Sequence, residues 1–476
     1  MVWRMQRSDR AGETAAGRHA LHCAAGVALA AGATWLRFAV ERTLQIDTGT
    51  SAYLASAFLV GLGLALAGLG ASRLAVIAAE VRLVVLFRWA MLVQLAAFPA
   101  LALTSRDIFS NVAYGVLQLG GVSPYLEGPR SAGDAALTAL VSPRWMNVPT
   151  AYGPVVSMVS WGASAIGRAL GTQVWGGTAA FKVVMLACVI ATLFVARATL
   201  RAGRFDDAGA RFALLAFTPL LAWEVSSQAH NDGLLVLELM VFVWAATQGR
   251  AGIAVTALAA GVFTKVAAAP LLVIYLALTA RGSRVRAVTL ASVAAGVGAV
   301  LVLPYWRGLV VLQGTRLAAR GDVERHAHSL ADLLALVLQP AAPRAAAVAY
   351  WACYAGSIVL CILLVLRAAL RATTVARVLH EGIVVLLAWF VTAPWFQPWY
   401  ATWLLPLAVC EEDPGLRRIV ALYAVLTVVQ WAVPLDPVTT VAVNLWVVVA
   451  LWRNERAAGQ RSSQEACGRT GAVPIT

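Results

Sequence analysis

One acidic residue stands out because it lies where an apolar segment ends. Asp107 is part of the run SRDIFS at 105–110, directly after an apolar block. A carboxylate at a membrane surface can accept a proton from a hydroxyl group held there. The alternatives are that Asp107 caps the helix that begins here, or that it pairs with Arg106.

The residues after this carboxylate carry a helical pattern. Apolar side chains recur every three or four positions, which predicts an amphipathic helix lying along the membrane surface. The residues concerned are Ile108, Val112, Val116 and Leu119.

A second polar group lies in a short turn between two apolar segments. His230, Asn231 and Asp232 are adjacent, and polar side chains at such a place are costly unless they bind something. They could equally cap the next helix, with His230 at the membrane interface. One histidine and one carboxylate are too few to indicate a metal site.

Several cationic residues are candidates for binding an anion. Lys265 lies inside an apolar stretch, where an ionisable residue is a functional candidate unless its ammonium group reaches the nearest interface. The loop at 305–329 carries Arg307, Arg316 and Arg320, and arginine binds phosphate through paired hydrogen bonds. Contact between a solvated loop and anionic lipid headgroups is the alternative.

An aromatic turn at 393–403, APWFQPWYATW, combines rings with two prolines and one amide. Trp395, Trp399 and Tyr400 could stack on the apolar face of a sugar, while Gln397 hydrogen-bonds one of its hydroxyls. Aromatic belts are also common at membrane boundaries, so the turn has a purely structural interpretation as well.

Membrane-spanning helices must position these candidates. The chain has 476 residues, of which 61% are hydrophobic and only 13% charged. Its apolar residues fall in blocks of about 20, the length that a helix needs to cross a bilayer. This composition excludes a soluble globular enzyme, a disordered protein and a disulfide scaffold. It predicts an all-α polytopic membrane protein.

The net charge of +14 is interpreted as a signal of topology. All but two of the 37 basic residues are arginine, and most lie in short gaps between apolar blocks. That pattern is typical of loops that stay in the cytoplasm, and no module for binding nucleic acid is visible. With these loops inside, both termini are cytoplasmic and the chain has about 14 spans, within a range of roughly 12–15.

The apolar blocks define the expected spans. Two further stretches, 151–170 and 329–341, are interpreted as interfacial or partial helices, and 251–280 could be one long kinked helix instead of two spans. The expected spans are 21–40, 52–72, 83–104, 174–198, 211–229, 231–249, 251–265, 266–280, 287–304, 345–368, 380–396, 399–412, 416–434 and 437–453.

Four motifs together resemble a known family. They are SRDIFS at 105–110, Tyr114-Gly115, the segment from Gly120 that ends in Ser123-Pro124-Tyr125, and Tyr152-Gly153-Pro154. They resemble the glycosyltransferases of the GT-C fold, and most of all the polyprenyl-phosphomannose-dependent α-1,6-mannosyltransferases of bacterial lipoglycan synthesis.

The resemblance implies roles for individual residues. Asp107 would be the catalytic base in the first long external loop, with Arg106, Tyr125 and Tyr152 as substrate contacts. The turn at His230, Asn231 and Asp232 would help to form the sugar or acceptor pocket. Lys265 would contact the lipid phosphate of the donor, as would one or more of Arg307, Arg316 and Arg320. The segment with Trp395, Gln397, Trp399 and Tyr400 would lie over the sugar-binding cavity.

The resemblance also implies a domain organisation. The GT-C-like catalytic core spans 83–435, with external loops at 105–150 and 305–329, and two additional spans precede it at 21–82. One last span follows at 436–453, and cytoplasmic tails are expected at 1–20 and 454–476. The expected location is the bacterial cytoplasmic membrane, with the active site facing the outside.

The expected activity is transfer of a sugar, mannose by resemblance, from a polyprenyl-phosphate donor to a glycan or glycolipid acceptor. The transfer would be a single displacement with inversion. The sequence has no glycine-rich phosphate loop for a nucleotide sugar, no cofactor is expected to be required, and a divalent metal is not supported. The alternative is a transporter or flippase of lipid-linked sugars, whose polar residues should lie at mid-membrane on broken helices.

Overall fold

The structure is a computed structural model that describes residues 2–44, 51–102, 105–306, 330–393, 396–429 and 441–454. Over these residues it consists of helices and connecting turns, without β-strands. The predicted class, an all-α polytopic membrane protein, is confirmed.

Within the described residues most connections between helices are short, apart from the long segment between the fourth and sixth. Their bounds are α1 Val2–Leu44, α2 Ser51–Ile77, α3 Leu83–Ala97, α4 Asp107–Leu119, α5 Ala135–Thr138, α6 Pro154–Ala169, α7 Gln173–Gly203, α8 Ala208–Ala216, α9 Asp232–Thr247, α10 Ala251–Thr264, α11 Ala269–Gly282, α12 Arg284–Val302, α13 Leu330–Leu338, α14 Pro343–Arg371, α15 Val375–Thr392, α16 Leu404–Val409, α17 Pro414–Val429 and α18 Val441–Asn454.

Helices of three kinds occupy 11 of the 14 expected spans; those at 231–249, 399–412 and 416–434 are not among them. Within the described residues, α1, α2, α7, α12, α14 and α15 are each long and apolar enough to cross a membrane. A bent pair, α8 with the π-helical Leu221–Ser227, turns by 48° and has the composition of a broken span. Shorter apolar helices, α3, α10, α11 and α18, lie at four more of the expected spans.

The N-terminal residues and the two expected partial helices can be compared with the prediction. Since α1 begins at Val2, residues 2–20 belong to a helix instead of forming the separate tail that we expected. Helices α6 and α13 have 16 and 9 residues. At 1.5 Å per residue both are shorter than a hydrocarbon core of about 30 Å, in line with partial helices.

Two of the long helices present apolar side chains to the outside. Only 17% of the apolar window of α12 and 11% of that of α14 are buried inside the protein. Val285, Val300 and Leu370 are each more than two thirds exposed. Surfaces of this kind are stable only against lipid, so these helices form the lipid-facing side.

Helix α4 is present as predicted, but its position differs from that of a helix resting on a membrane surface. Nine of its 13 residues are buried within the protein, against α6 and α7. At Gly115 the two backbones approach so closely that a Cβ would lie 2.1 Å from the Ser160 carbonyl oxygen. The Ser164 hydroxyl also donates to the Val112 carbonyl at 2.9 Å. Small residues on α6 therefore allow it to cover α4.

Candidate active site

The carboxylate of Asp107 lies at the start of α4 but does not cap that helix. Ser105 Oγ accepts the Asp107 backbone N–H at 3.2 Å, while the carboxylate turns towards other segments. Its Oδ2 accepts a hydrogen bond from the Tyr152 hydroxyl at 3.2 Å and lies 3.5 Å from Nδ1 of His230. Both partners contact the same oxygen. The Asp107 side chain is 23% exposed.

His230 lies between two carboxylates. Its Nε2 is 3.4 Å from Oε2 of Glu224, and its side chain is only 1% exposed. The ring stacks on Trp399, with 3.8 Å between the centroids and 19° between the planes. His230 is therefore part of the cluster and does not lie at an interface.

An irregular backbone creates this arrangement. Glu224 lies in the π-helical segment Leu221–Ser227, and π-helical turns are common at functional sites. Ala229 follows with a φ of +56°, a left-handed conformation that is unfavourable for alanine. The His230 N–H then donates to the Glu224 carbonyl at 3.0 Å. The backbone from Glu224 to His230 thus forms a tight turn that directs the imidazole towards Asp107.

Asp232 and Lys265 form a buried ion pair beside this array. Nζ of Lys265 lies 2.7 Å from Oδ2 of Asp232, and Oδ1 accepts a hydrogen bond from Nε1 of Trp403 at 2.7 Å. The ammonium group also lies 5.2, 5.3 and 5.5 Å from the ring centres of Tyr152, Tyr400 and Trp403. Rings at these distances stabilise a cation through their electron-rich faces.

Tyr152 joins the two halves of the cluster. Its hydroxyl reaches Asp107 while its ring lies beneath Lys265. The adjacent Gly153 donates its N–H to the Thr264 carbonyl at 3.1 Å, and a Cβ there would lie 1.9 Å from the Phe263 carbonyl oxygen. Because only glycine allows this approach, Gly153 holds Tyr152 against the C-terminal end of α10, next to Lys265.

The electrostatics keep Asp107 ionised and Tyr152 protonated. Burial by itself would raise the pKa of Asp107. The contact with His230, the charge of Lys265 and the Tyr152 hydroxyl outweigh burial and lower the pKa of this carboxyl below its ordinary value. Burial, and next the negative charge of Asp107, raise the pKa of Tyr152 well above its usual value. The pair is therefore a carboxylate that accepts and a phenol that donates.

The aromatic turn forms one wall of the cluster. It is a short 3-10 helix, Pro398–Trp403, in which Trp399 supports His230. Tyr400 stacks on Trp403 with 4.5 Å between the centroids. Gln397 is buried at the start of the turn. The segment therefore contacts His230 and Lys265, and its place over a sugar-binding cavity stays a prediction.

Two residues of the cluster were missed in the sequence. Glu224 is one, although a single acidic residue inside the apolar run LLAWEVSS is a signal of the same kind as Lys265. The other is Asn111, one helical turn after Asp107. Nδ2 of Asn231 lies 3.5 Å from Oδ1 of Asn111, and both residues are about 99% buried or more.

The remaining predicted site residues lie apart from this cluster or outside the described residues. The Tyr125 hydroxyl is 2.9 Å from Oγ of Ser157, and its ring packs edge-on against Tyr305, beside a groove of about 520 Å³. Arg106 is exposed. Arg307, Arg316, Arg320 and Trp395 lie outside the described residues, so their roles stay predictions.

The donor groups do not assemble a metal site. In the part of the chain that the structure describes, no three His, Cys, Asp or Glu side chains are grouped so that they could hold a metal ion. His230 separates the carboxylates of Asp107 and Glu224 instead of sharing a centre with them.

Comparison with known proteins gives one match. The family described as "Alpha-(1->6)-mannopyranosyltransferase, N-terminal domain" matches residues 14–281, more than half of the chain. This stretch contains Asp107, Tyr152, Glu224, His230, Asp232 and Lys265. No curated protein and no solved structure matches.

Proposed function

Since the chain belongs to the MptA_B family of alpha-(1->6)-mannopyranosyltransferases, we propose that it transfers mannose from a polyprenyl-phosphate donor. The acceptor is a glycan or glycolipid on the outer side of the bacterial cytoplasmic membrane. The observation that carries the proposal is the geometry of Asp107: two partners hold Oδ2, while the side chain remains partly exposed.

The proposed chemistry is a single displacement with inversion. The acceptor oxygen attacks the anomeric carbon as Asp107 removes its proton. The bond between that carbon and the phosphate oxygen breaks, and polyprenyl phosphate leaves with the bonding electrons. Phosphate is a good leaving group and needs no protonation, so one carboxylate suffices where a glycosidase uses two.

The charge on the leaving phosphate requires cations. Lys265 is the cation in the described site, and an ammonium group has three N–H donors, of which Asp232 takes one. We assign Lys265 to the donor phosphate, with Arg307, Arg316 and Arg320 as additional candidates. Positive groups that are already fixed before the reaction stabilise a developing anion most effectively.

The family match favours an enzyme over a transporter of lipid-linked sugars. A transporter is expected to place its polar residues at mid-membrane on broken helices. Asp107 and Asp232 begin their helices, whereas Glu224 lies in the bent pair and Lys265 at the break between α10 and α11. The choice of an enzyme therefore rests on the mannosyltransferase family and not on the place of the polar groups.

The test is transfer of radiolabelled mannose by the protein reconstituted in liposomes. The donor is polyprenyl-phosphate mannose and the acceptor is a synthetic α-1,6-linked mannoside. We expect Asp107→Asn to fold normally and to lose about 10²- to 10⁴-fold in kcat, the usual contribution of a general base.

The matched control is Asp206→Asn, an exposed carboxylate between α7 and α8, which should transfer at the parent rate. Undiminished transfer by folded Asp107→Asn would remove Asp107 as the base. Movement of the donor across the bilayer without transfer would support the transporter instead.

A further inference from the structure

Glu224 is a buried carboxylate for which the proposed chemistry has no direct use. Its side chain is about 1% exposed and lies in an apolar segment that resembles a membrane span. Burying an ionisable group there costs several kcal/mol. Such a group is retained where it has a partner and a task.

The partner of Glu224 is His230. The same glutamate contacts that histidine twice, since its backbone carbonyl accepts the His230 N–H at 3.0 Å and its Oε2 faces the ring Nε2 at 3.4 Å. The π-helical turn and the left-handed Ala229 make both contacts possible. Strained backbone is tolerated where the surrounding structure holds it for a purpose.

His230 in turn contacts Asp107, so the three side chains form one row. Nδ1 of the ring is 3.5 Å from Oδ2 of Asp107, and the stacked indole of Trp399 fixes the plane of the ring. A neutral imidazole has one N–H, so it can donate to only one of the two carboxylates. A ring that carries two N–H groups donates to both.

We infer that Glu224 is a positioning residue for the proposed transfer. It acts through His230, holding the imidazole so that its Nδ1–H fixes Oδ2 of Asp107 and leaves Oδ1 facing the acceptor hydroxyl. This inference rests on the proposed function. It adds a residue that touches neither substrate and yet orients the base.

Charged and titratable groups surround this row from several elements. Two carboxylates face the His230 ring: Asp107 from α4 and Glu224 from the π-helical segment. On the far side of Asp107 lie the Tyr152 hydroxyl and the ion pair of Asp232, from α9, with Lys265, after α10. Among the described residues these groups are Asp107, Tyr114, Tyr152, Glu224, Asp232, Lys265 and Tyr400.

The experiment compares the pH dependence of kcat for the parent and Glu224→Gln in the liposome assay. The amide keeps the shape of the side chain and removes a buried charge, so the variant should fold. We expect kcat to fall about 10- to 100-fold, as for other carboxylates that orient a functional histidine, with KM nearly unchanged. The His230 contact helps to lower the pKa of Asp107, so a ring that is held less firmly raises that pKa. The acid limb of the profile should therefore move to higher pH.

A double-mutant cycle supplies a second readout. If Glu224 acts through His230, then adding Glu224→Gln to His230→Gln should cause no further loss in kcat. Glu381→Gln is the matched control, since Glu381 is 2% exposed and pairs with Arg377 in another part of the protein. Its profile, per folded molecule, should equal that of the parent.

The possible results separate cleanly. An unshifted profile for Glu224→Gln, whether kcat is lowered evenly or unchanged, would overturn the inference, as would additive losses in the cycle. Undiminished transfer by Asp107→Asn would remove Asp107 as the base and with it the role of Glu224, whereas absence of transfer by the parent protein would overturn the proposed function itself. Loss of transfer by Asp107→Asn together with an unshifted Glu224→Gln would leave that function standing and reject only the role of Glu224.

Discussion

Two groups of buried and partly buried charges lie at opposite ends of the same helices. The segment from α8 to the π-helical turn has Arg211 near its start and Glu224 near its end. Helix α15 has His380 near its start, beside Glu411, and Trp389 near its end, stacked on Trp403. The Arg211 cluster, consisting of Asp207, Arg211, Glu411 and Arg417, can thus be compared directly with the Asp107 cluster, consisting of Asp107, Glu224, His230, Asp232 and Lys265.

The Arg211 cluster binds the backbone. Arg211 donates to the carbonyls of Val409 and Glu411 at 3.1 and 2.8 Å, and Arg417 donates to the same Glu411 carbonyl at 2.8 Å. These carbonyls lie at the end of α16, where a helix leaves its last acceptors without partners. The arginines supply the missing donors, so this cluster joins helix ends together.

The charged side chains of the Asp107 cluster bind one another and aromatic rings. Their partners are side chains: Tyr152 and His230 for Asp107, and Lys265 and Trp403 for Asp232. Nδ2 of Asn111 and Oδ1 of Asn231, also buried there, have no hydrogen-bond partner among the described residues. Oε2 of Glu411 in the Arg211 cluster also lacks one, so unpaired polar atoms occur in both clusters. The clusters differ in their partners: the arginines of one bind backbone carbonyls as well as Asp207, and the charges of the other bind side chains.

The largest expected effect comes from Asp232→Asn, which leaves Lys265 buried without its counter-ion. Removing one partner of a buried ion pair costs about 3–5 kcal/mol of stability, and the displaced ammonium should also reduce transfer. Thermal unfolding in detergent and the liposome assay measure the two effects separately.

The double variant Asp232→Asn/Lys265→Met sharpens the comparison. With both charges gone, thermal stability should return towards that of the parent, while transfer should remain lost because no ammonium faces the phosphate. Recovery of transfer in the double variant would show that the pair belongs with the structural charges of the Arg211 cluster.

The sequence predicted the helical class and most of the charged residues in the Asp107 cluster, because both are local signals. Apolar blocks indicate spans wherever they occur, and a lone charge such as Lys265 stands out within one. Glu224 is also a lone charge in an apolar block and could have been predicted in the same way. The burial of α4 could not have been predicted, because it depends on small residues of α6 about 45 positions away.

The partners of these charges could not be predicted from the sequence. Lys265 was expected to face a phosphate, whereas its nearest partner is Asp232, 33 residues earlier. That contact depends on the break after α10 and on the close approach of Gly153, which are properties of the packed fold. The arginines of 305–329 lie outside the described residues, so the prediction that they bind phosphate stands untested.

An intermediate effect is expected from Arg211→Lys in the other cluster. Lysine keeps the charge but loses the planar fork that reaches Asp207 and two carbonyls at once. The buried carbonyls left without donors should lower the free energy of unfolding by about 1–3 kcal/mol. The kcat per folded molecule should not change. A lower kcat at unchanged stability would break the comparison, since it would give this cluster a part in the reaction.

The smallest effect is expected from Tyr152→Phe, which removes one hydrogen bond from Asp107 and leaves the His230 contact in place. A hydrogen bond to a charged group contributes about 1.5–3 kcal/mol. Because His230 still contacts Oδ2, we expect only part of this to be lost, and kcat/KM near neutral pH should fall by about tenfold. The hydroxyl helps to lower the pKa of Asp107. Its loss raises that pKa, and the acid limb of the profile, where the base becomes protonated and inactive, should move to higher pH.

The matched control for this variant is Tyr114→Phe, because Tyr114 is buried on the same α4 helix but its hydroxyl donates to the Val148 carbonyl at 2.8 Å. It should lose some stability and keep the acid limb of the parent. If the two variants share one acid limb, the Tyr152 hydroxyl does not act on Asp107. The side-chain bonds of the Asp107 cluster would then be structural in the same sense as the backbone bonds around Arg211.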